Sequence, residues 1–414
     1  MVIGAGAAGL MAALFAARTG APVVLVERTA DGGRKILISG GGRCNILPST
    51  VIPHRYVTDS SPNTLRKLLL AWPLREQRPF FEHELGMPLE LEPETGKLFA
   101  SSHKARDVRD RLVARVGEAG ARIWFGTRVT DVAPMTDTTD PAVRWRVDLE
   151  DAPSIHASAV VLATGGLSVP ATGSDGFGLS LAERLGMRVH PTYPALTPLT
   201  ADPHPHAALA GVSLEVTIRA PGARPSFETR GGFLFTHRGW SGPTVLDASH
   251  LAIRGRPDGT RQELEVQWSD IEASGWEERL AQGSGTVRTA LAADLPRRLA
   301  DVLLEEAGVP ADTPLAQLRR EDRLAVVAAL GAYPLPWTGD EGYKKAEVTG
   351  GGVSLAEVVP GTLESRAHPG LHLCGEVLDA FGPIGGHNFL WAWSTGRAAG
   401  LAAAGAASAS SGKD

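Results

Sequence analysis

Four stretches of this 414-residue chain combine glycines with charged or hydroxyl residues at spacings suited to holding a phosphorylated cofactor. The first is Gly4-Ala5-Gly6-Ala7-Ala8-Gly9. It follows Val2-Ile3 and opens an apolar helical run. In such a motif Gly4 makes the tight turn, Gly6 lets the backbone approach a pyrophosphate, and Gly9 allows close helix–strand packing. The N–H groups of Ala7 and Ala8 belong to a first helical turn, whose orphan donors and dipole favour anions. Glu27, followed by Arg28, ends the next apolar run. There it is suited to accept hydrogen bonds from ribose hydroxyls, and it argues against a 2′-phosphate on that ribose. An ordinary glycine-rich turn with a surface Glu is the plainer reading, and the strand–turn–helix–strand context disfavours it.

The second stretch runs from Arg34-Lys35 to Ser39-Gly40-Gly41-Gly42-Arg43-Cys44-Asn45. Backbone N–H groups beside cations make an anion cradle. A flexible linker would need the glycines but not Arg34, Lys35 and Arg43. The third, Ala163-Thr164-Gly165-Gly166, ends a strand in small residues, either as a simple strand exit or as a close approach to a cofactor. The fourth is Gly375-Glu376 with Asp379, then Gly385-Gly386-His387-Asn388. Glu376 or Asp379 is placed to hold ribityl or phosphate-linked groups. The helix starting near Asn388 is placed to stabilise negative charge on a reduced ring.

The elements that must position these residues are legible. A helix is predicted from about residue 7 to 19 and a buried strand over 22–27, opening a βαβ unit. Helical segments are expected over 62–86, broken at Pro73 and Pro79, and over 104–119, where Val108, Leu112 and Val116 share a face. Strands over 121–125, 127–133, 143–149 and 159–163 read as an antiparallel meander and a return strand, with turns at Asp137, Asp140 and Pro141. Residues 191–270 alternate as strands, including Leu214 to Ile218 and Leu264 to Trp268. Residues 286–330 are helical, and the chain returns to its first domain near Lys344. A last strand, Leu371 to Cys374, precedes the final helix. An Ala/Ser-rich tail is expected to fray.

Composition sets the class. The net charge of −5 gives no electrostatic reason to expect nucleic acid or an anionic membrane. Cys44 and Cys374 are too few for a disulfide framework or a structural metal site, which makes a reducing cytosol the default. A redox pair between them would need Cα atoms within about 7 Å, and a lone Cys is more often a small buried hydrophobe. No apolar run reaches membrane-spanning length. The apolar start lacks the basic residues of a signal peptide. His237, Arg238 and Ser241 read either as substrate-pocket groups or as turn chemistry, with Ser241 capping a helix at Pro243.

The segments VIGAGAAGL, GRKILISGGGRCN, LATGG, FLFTHRGWSGPTVLDAS, EVTGGGV and GEVLDAFGPIGGHNFLWAWSTGRAAG together resemble the HI0933-like family of flavoproteins, also called aminoacetone-oxidase-like or BaiN-like. They span the chain from residue 2 to about 400. The resemblance implies an α/β fold: a Rossmann-like FAD-binding domain of the glutathione-reductase superfamily, of the two-dinucleotide-binding-domain flavoprotein type, with an inserted β-rich plus helical domain. It implies that Val129 offers its backbone to adenine. His387 stands where many members have Tyr. Members also carry residues before the first strand, so a natural start upstream of Met1 is expected.

The resulting expectation is a discontinuous FAD domain over 1–190 and 345–405, a barrel-like plus helical insert over 191–344, and a flexible tail over 406–414. The function expected is two-electron transfer between a small organic substrate and FAD in the cytoplasm. NAD(P)H would serve as a transient donor, because Gly173 to Gly178 does not match a second nucleotide motif. Nucleic acid and membrane are not expected as partners. The alternatives are a flavin-dependent tRNA-modifying enzyme and a non-catalytic flavin sensor. No residue is singled out as catalytic, and no metal is expected.

Overall fold

The computed structural model describes residues 1–135, 143–255 and 259–411. Two compact units result, one of Met1–Tyr193 with Val348–Asp414 and one of Pro194–Glu347. The expected turn residues Asp137, Asp140 and Pro141 lie outside the described residues, as do 412–414.

The first unit is built on a five-stranded parallel sheet. Its order is Leu371–Leu373, Val160–Leu162, Val2–Ile3, Val24–Val26 and Arg122–Trp124. Ile3 pairs level with Leu162 and Val26, and Leu162 with Leu373. This register brings four strand ends to one edge of the sheet. The helix Ala7–Ala17 is apolar all round and buries nine of its eleven residues, as a helix enclosed on both sides must. Against it runs the helix His387–Ser411. Gly396 and Gly400 make this crossing possible, since a Cβ there would sit 2.3 Å from the Ala8 carbonyl oxygen and 2.2 Å from that of Ala12. The helix continues to Ser411, through most of the segment expected to be a flexible tail.

Two readings of the middle of the chain change. Arg122–Trp124 is not part of the meander; it pairs in parallel with Val24–Val26. The meander is Val129–Pro134, Trp145–Leu149 and Ala152–Ala157. Its third strand escaped the pattern because it is an outer strand with mostly exposed side chains and a proline.

The second unit carries a seven-stranded antiparallel sheet in the order Tyr333–Pro334, Glu265–Gln267, Ser213–Ala220, Phe227–Phe235, Gly239–Ser241, Leu199–Thr200 and Gly339–Asp340. The described strands form an open sheet rather than the barrel-like one expected. Helix Pro243–Arg254 packs on Phe227–Phe235, within a stretch read mainly as strands. Helices Ala273–Gln282, Val287–Ala292, Arg297–Glu306 and Arg320–Gly331 complete the unit. Its core holds Trp240, Trp268, Trp276, Phe233 and Phe235. Among the described residues no helix is long and apolar enough to cross a membrane.

Candidate functional site

The level strand ends place Gly4, Glu27, Ala163 and Cys374 side by side at the carboxyl edge of the parallel sheet, where ligands of open α/β sheets bind. The glycines divide by task. Gly4 has φ +98°, and a Cβ on it would lie 2.6 Å from the Ala163 carbonyl oxygen. A Cβ on Gly9 would lie 1.8 Å from the Gly4 carbonyl oxygen. A Cβ on Gly6 would meet nothing within 4 Å. Two glycines close the turn, and the third leaves its outer face open in front of a helix N-terminus.

Glu27 is nearly buried. Its Oε2 accepts from Ala5 N–H at 2.8 Å and its Oε1 from Thr29 N–H at 2.7 Å. Beside it Arg28 pairs with Asp175, so the Gly173–Gly178 segment joins this same edge. There Gly176, at φ +79°, starts the helix Phe177–Arg184. Gly40, Gly41 and Gly42 follow Ser39 with φ of 55°, 65° and 84°. A Cβ on Gly41 or Gly42 would also meet nothing within 4 Å. Gly42 is left-handed and Arg43 after it right-handed, a step of opposite hands that turns successive backbone N–H groups into a concavity.

A second cluster spans the edge. Lys35 Nζ donates to Glu376 and to Ser168 Oγ. Thr349 Oγ1 donates to Glu376 Oε1 at 2.9 Å. Gly166 lies against both, since its Cβ would be 2.4 Å from Thr349 Oγ1 and 3.0 Å from Glu376 Oε1. Gly375, at φ +77°, is held by Thr395 Oγ1 at 3.0 Å. Gly165 has φ +71°, and the Thr164 hydroxyl is buried without a partner among the described residues.

Other expected residues are placed elsewhere. Arg34 pairs with Asp31, and Arg43 pairs with Glu92 and stacks over Phe99, so neither cation points into the cluster around Lys35. Ser39 Oγ is spent on the Ile36 carbonyl. Asp379 points inward and is 1% exposed; its Oδ2 accepts from Thr58 Oγ1, Asp59 N–H and Ser60 Oγ at 2.7–2.9 Å. Burial raises its pKa, and these hydrogen bonds oppose the shift. Asp379 therefore ties segments of the first unit together rather than offering a carboxylate at the edge. His387 packs on Tyr56, with Nδ1 3.2 Å from its hydroxyl, and burial lowers its pKa to about 4. Asn388 closes the preceding loop by exchanging hydrogen bonds with Gly382. Gly385 and Gly386 have φ of 111° and 92°, and a Cβ on Gly386 would lie 2.7 Å from the Leu47 carbonyl carbon. What forbids a side chain there is backbone. Asn45 presents a buried Oδ1, without a partner among the described residues, close to Gly40. Val129 begins the meander, two residues after Thr127, whose N–H bonds the Glu27 carbonyl.

Both cysteines are free and fully buried. Burial pushes Cys44 up to about 12 and raises Cys374 as well. In the second unit His237 and Arg238 are exposed at a hairpin tip, and Gly242, not Ser241, caps the helix at Pro243. No group of three or more potential metal ligands occurs among the described residues. Sequence reasoning missed Ser168, Thr349 and Thr395. Each is a small hydroxyl residue in an apolar or glycine-rich run, and its role depends on partners far away in the chain.

A parallel sheet with an open GxGxxG turn, an acidic residue ending the second strand and glycine-rich exits from two further strands defines a Rossmann-type dinucleotide-binding protein. Residues 1–402 match the HI0933-like protein Rossmann domain, and the chain belongs to that family. It is an FAD-dependent oxidoreductase. The residues fit that cofactor: the open faces at Gly6, Gly41 and Gly42 leave a cradle that side chains would fill.

The chain is 34% identical over 400 residues to a ribosomal RNA dihydrouridine synthase of Escherichia coli (strain K12), covering 95% of each. It is 31% identical over 414 residues to a 3-dehydro-bile acid delta(4,6)-reductase of Clostridium scindens, covering 97% of this chain and 98% of the other. An open-conformation flavocytochrome c3 fumarate reductase shares the fold, with TM-score 0.50 and 18% identity over 98% of this chain and 78% of that one.

Proposed function

We propose that this chain reduces a carbon–carbon double bond conjugated to a carbonyl, with FAD as its redox cofactor and the uridine base of ribosomal RNA as substrate. One observation carries the reading. Two near-full-length relatives are named for different substrates, yet both names describe saturation of such a bond: C5=C6 of a uracil ring, and a 4,6-diene beside a 3-oxo group. The shared element is the bond, and the chain's shared architecture is the cofactor edge. The RNA substrate is supported by the E. coli relative and by a second synthase of that name, from Haemophilus influenzae, at 32% identity over 403 residues.

In this reading Gly6 and the first turn of helix Ala7–Ala17 receive the pyrophosphate, Glu27 the adenosine ribose, and Gly41, Gly42, Gly165, Gly166 and Gly375 the flavin half. Bound FAD supplies the hydride chemistry. The net reaction adds two electrons and two protons across the double bond, with NADH or NADPH as the electron source. The net charge of −5 does not weigh against RNA, because recognition depends on local cations. Exposed Arg66, Lys67, Lys104, Arg106 and Arg111 supply some in the first unit. A small enone is the second reading, favoured by the bile-acid reductase relative.

The test incubates the holoprotein and NADPH with ribosomal RNA from cells lacking the gene, and in parallel with a steroid 4,6-dien-3-one. Dihydrouridine at a defined position supports the first reading. Reduction of the dienone alone supports the second. Reduction of neither removes both.

A further inference from the structure

Thr349 connects the strand Val348–Val353 to the cofactor edge. Its side chain is 1% exposed. Its hydroxyl accepts from Leu167 N–H at 2.7 Å and Ser168 N–H at 3.1 Å, and donates to Glu376 Oε1 at 2.9 Å. One proton and two lone pairs are thereby all engaged. Its backbone N–H gives Glu376 Oε1 a further bond at 3.0 Å. Ser168 Oγ donates to the same oxygen, while Glu376 Oε2 takes the Lys35 ammonium. Immediately after Ser168, Val169 sits at φ +47°, a conformation β-branched residues rarely adopt and one that costs energy unless its surroundings impose it.

The arrangement is more than an ion pair. Lysine carries its charge on a flexible four-carbon stem, and an exposed pair would hold it loosely. Here the carboxylate partner is fixed by Thr349 and Ser168, and the ammonium is itself shared with Ser168. Lys35 lies in the short helix Arg34–Ile38 after the second strand, Ser168 after the return strand and Glu376 after the last strand, so the charge is held where these three strand exits meet.

We propose that Thr349 is a positioning residue for Lys35: acting through Glu376, it fixes the ammonium and thereby raises the reduction potential of FAD bound at this edge. This rests on the reading of the strand ends as the flavin cradle. A fixed cation favours the reduced, more negative cofactor over the oxidised one.

The experiment measures midpoint potentials of the FAD-loaded protein by dye equilibration, with FAD affinity from apoprotein titration. Lys35→Met should lower the potential by about 30 mV, a tenfold change in the preference for reduced over oxidised FAD in a two-electron couple. Thr349→Val should shift it in the same direction, and Thr349→Ser should retain the wild-type value. Adding Thr349→Val to Lys35→Met should produce no further shift, because both changes remove the same interaction. Thr349→Ala replaces the Val variant if the latter does not fold. An additive shift in the double variant, or no shift from Thr349 variants while Lys35→Met shifts, overturns the proposal. No shift from Lys35→Met overturns it too. Glu27→Ala separates the two levels: if it weakens FAD while the coupling is absent, the cradle stands and only the role of Thr349 falls.

Discussion

Glu27 Oε2 accepts a 2.8 Å hydrogen bond from the backbone N–H of Ala5, so the acidic residue that ends the second strand also pins the glycine-rich turn after the first. The same carboxylate keeps acceptor capacity for a ribose hydroxyl, since each carboxylate oxygen can take about two donors. Glu27→Ala should therefore weaken FAD and loosen the turn together. Loss of a charged acceptor costs roughly 1.5–3 kcal/mol, or about ten- to a hundredfold in affinity. Fluorescence titration of apoprotein with FAD measures this, and unchanged affinity in a folded variant would contradict the ribose assignment.

Gly396→Val and Gly400→Val test the crossing of the first and last helices. The obstacles are the carbonyls of Ala8 and Ala12, which cannot swing aside as a side chain could. Overpacking of this kind costs about 1–3 kcal/mol, and more where backbone must move. Each variant should melt several degrees below wild type in calorimetry. A melting temperature unchanged within error would mean that the two helices are not in contact there.

The path from sequence to site was uneven, for physical reasons. Three of the four glycine-rich motifs were legible because each follows a buried strand, and parallel register then carries their ends to one edge. Orientation was not legible. Asp379 follows a strand much as Glu376 does, yet it turns inward to Thr58 and Ser60, far away in sequence. Arg34 and Arg43 read as free cations until Asp31 and Glu92 are seen beside them. Nor could the glycine-rich pattern show that what a side chain at Gly386 would strike is the Leu47–Pro48 backbone.

Acid should destabilise the protein partly through His387. Burial lowers its folded pKa to about 4, against about 6.5 when unfolded, so the unfolded chain binds more protons between those values. The stability tied to neutral His387 is present above about pH 6.5 and is lost as pH falls toward 4. His387→Gln should flatten the dependence of melting temperature on pH in that window. It should not abolish it, because buried His250 is also lowered to about 4. An unaltered pH profile would place His387 in solvent.

Reduction by nicotinamide nucleotides should be weak and poorly selective. The Gly173–Gly178 segment is engaged at the same edge through Asp175 and Arg28, and Glu27 is assigned to the FAD ribose. That leaves no assigned group to distinguish a 2′-hydroxyl from a 2′-phosphate. Anaerobic stopped-flow reduction should saturate only at high NADH or NADPH, with similar rates. Micromolar saturation and strong preference for one would reveal a second nucleotide site.

The central claim is that electrons leave this protein into a double bond conjugated to a carbonyl. The most direct measurement reduces the FAD-loaded protein without oxygen, removes excess reductant, and mixes it with uridine-containing ribosomal RNA or with a dienone. Flavin absorbance is followed and the product weighed by mass spectrometry. Return of the oxidised spectrum, in step with a product two hydrogen atoms heavier, is the predicted result. A flavin that stays reduced with both substrates and reoxidises only when air is admitted would contradict the account.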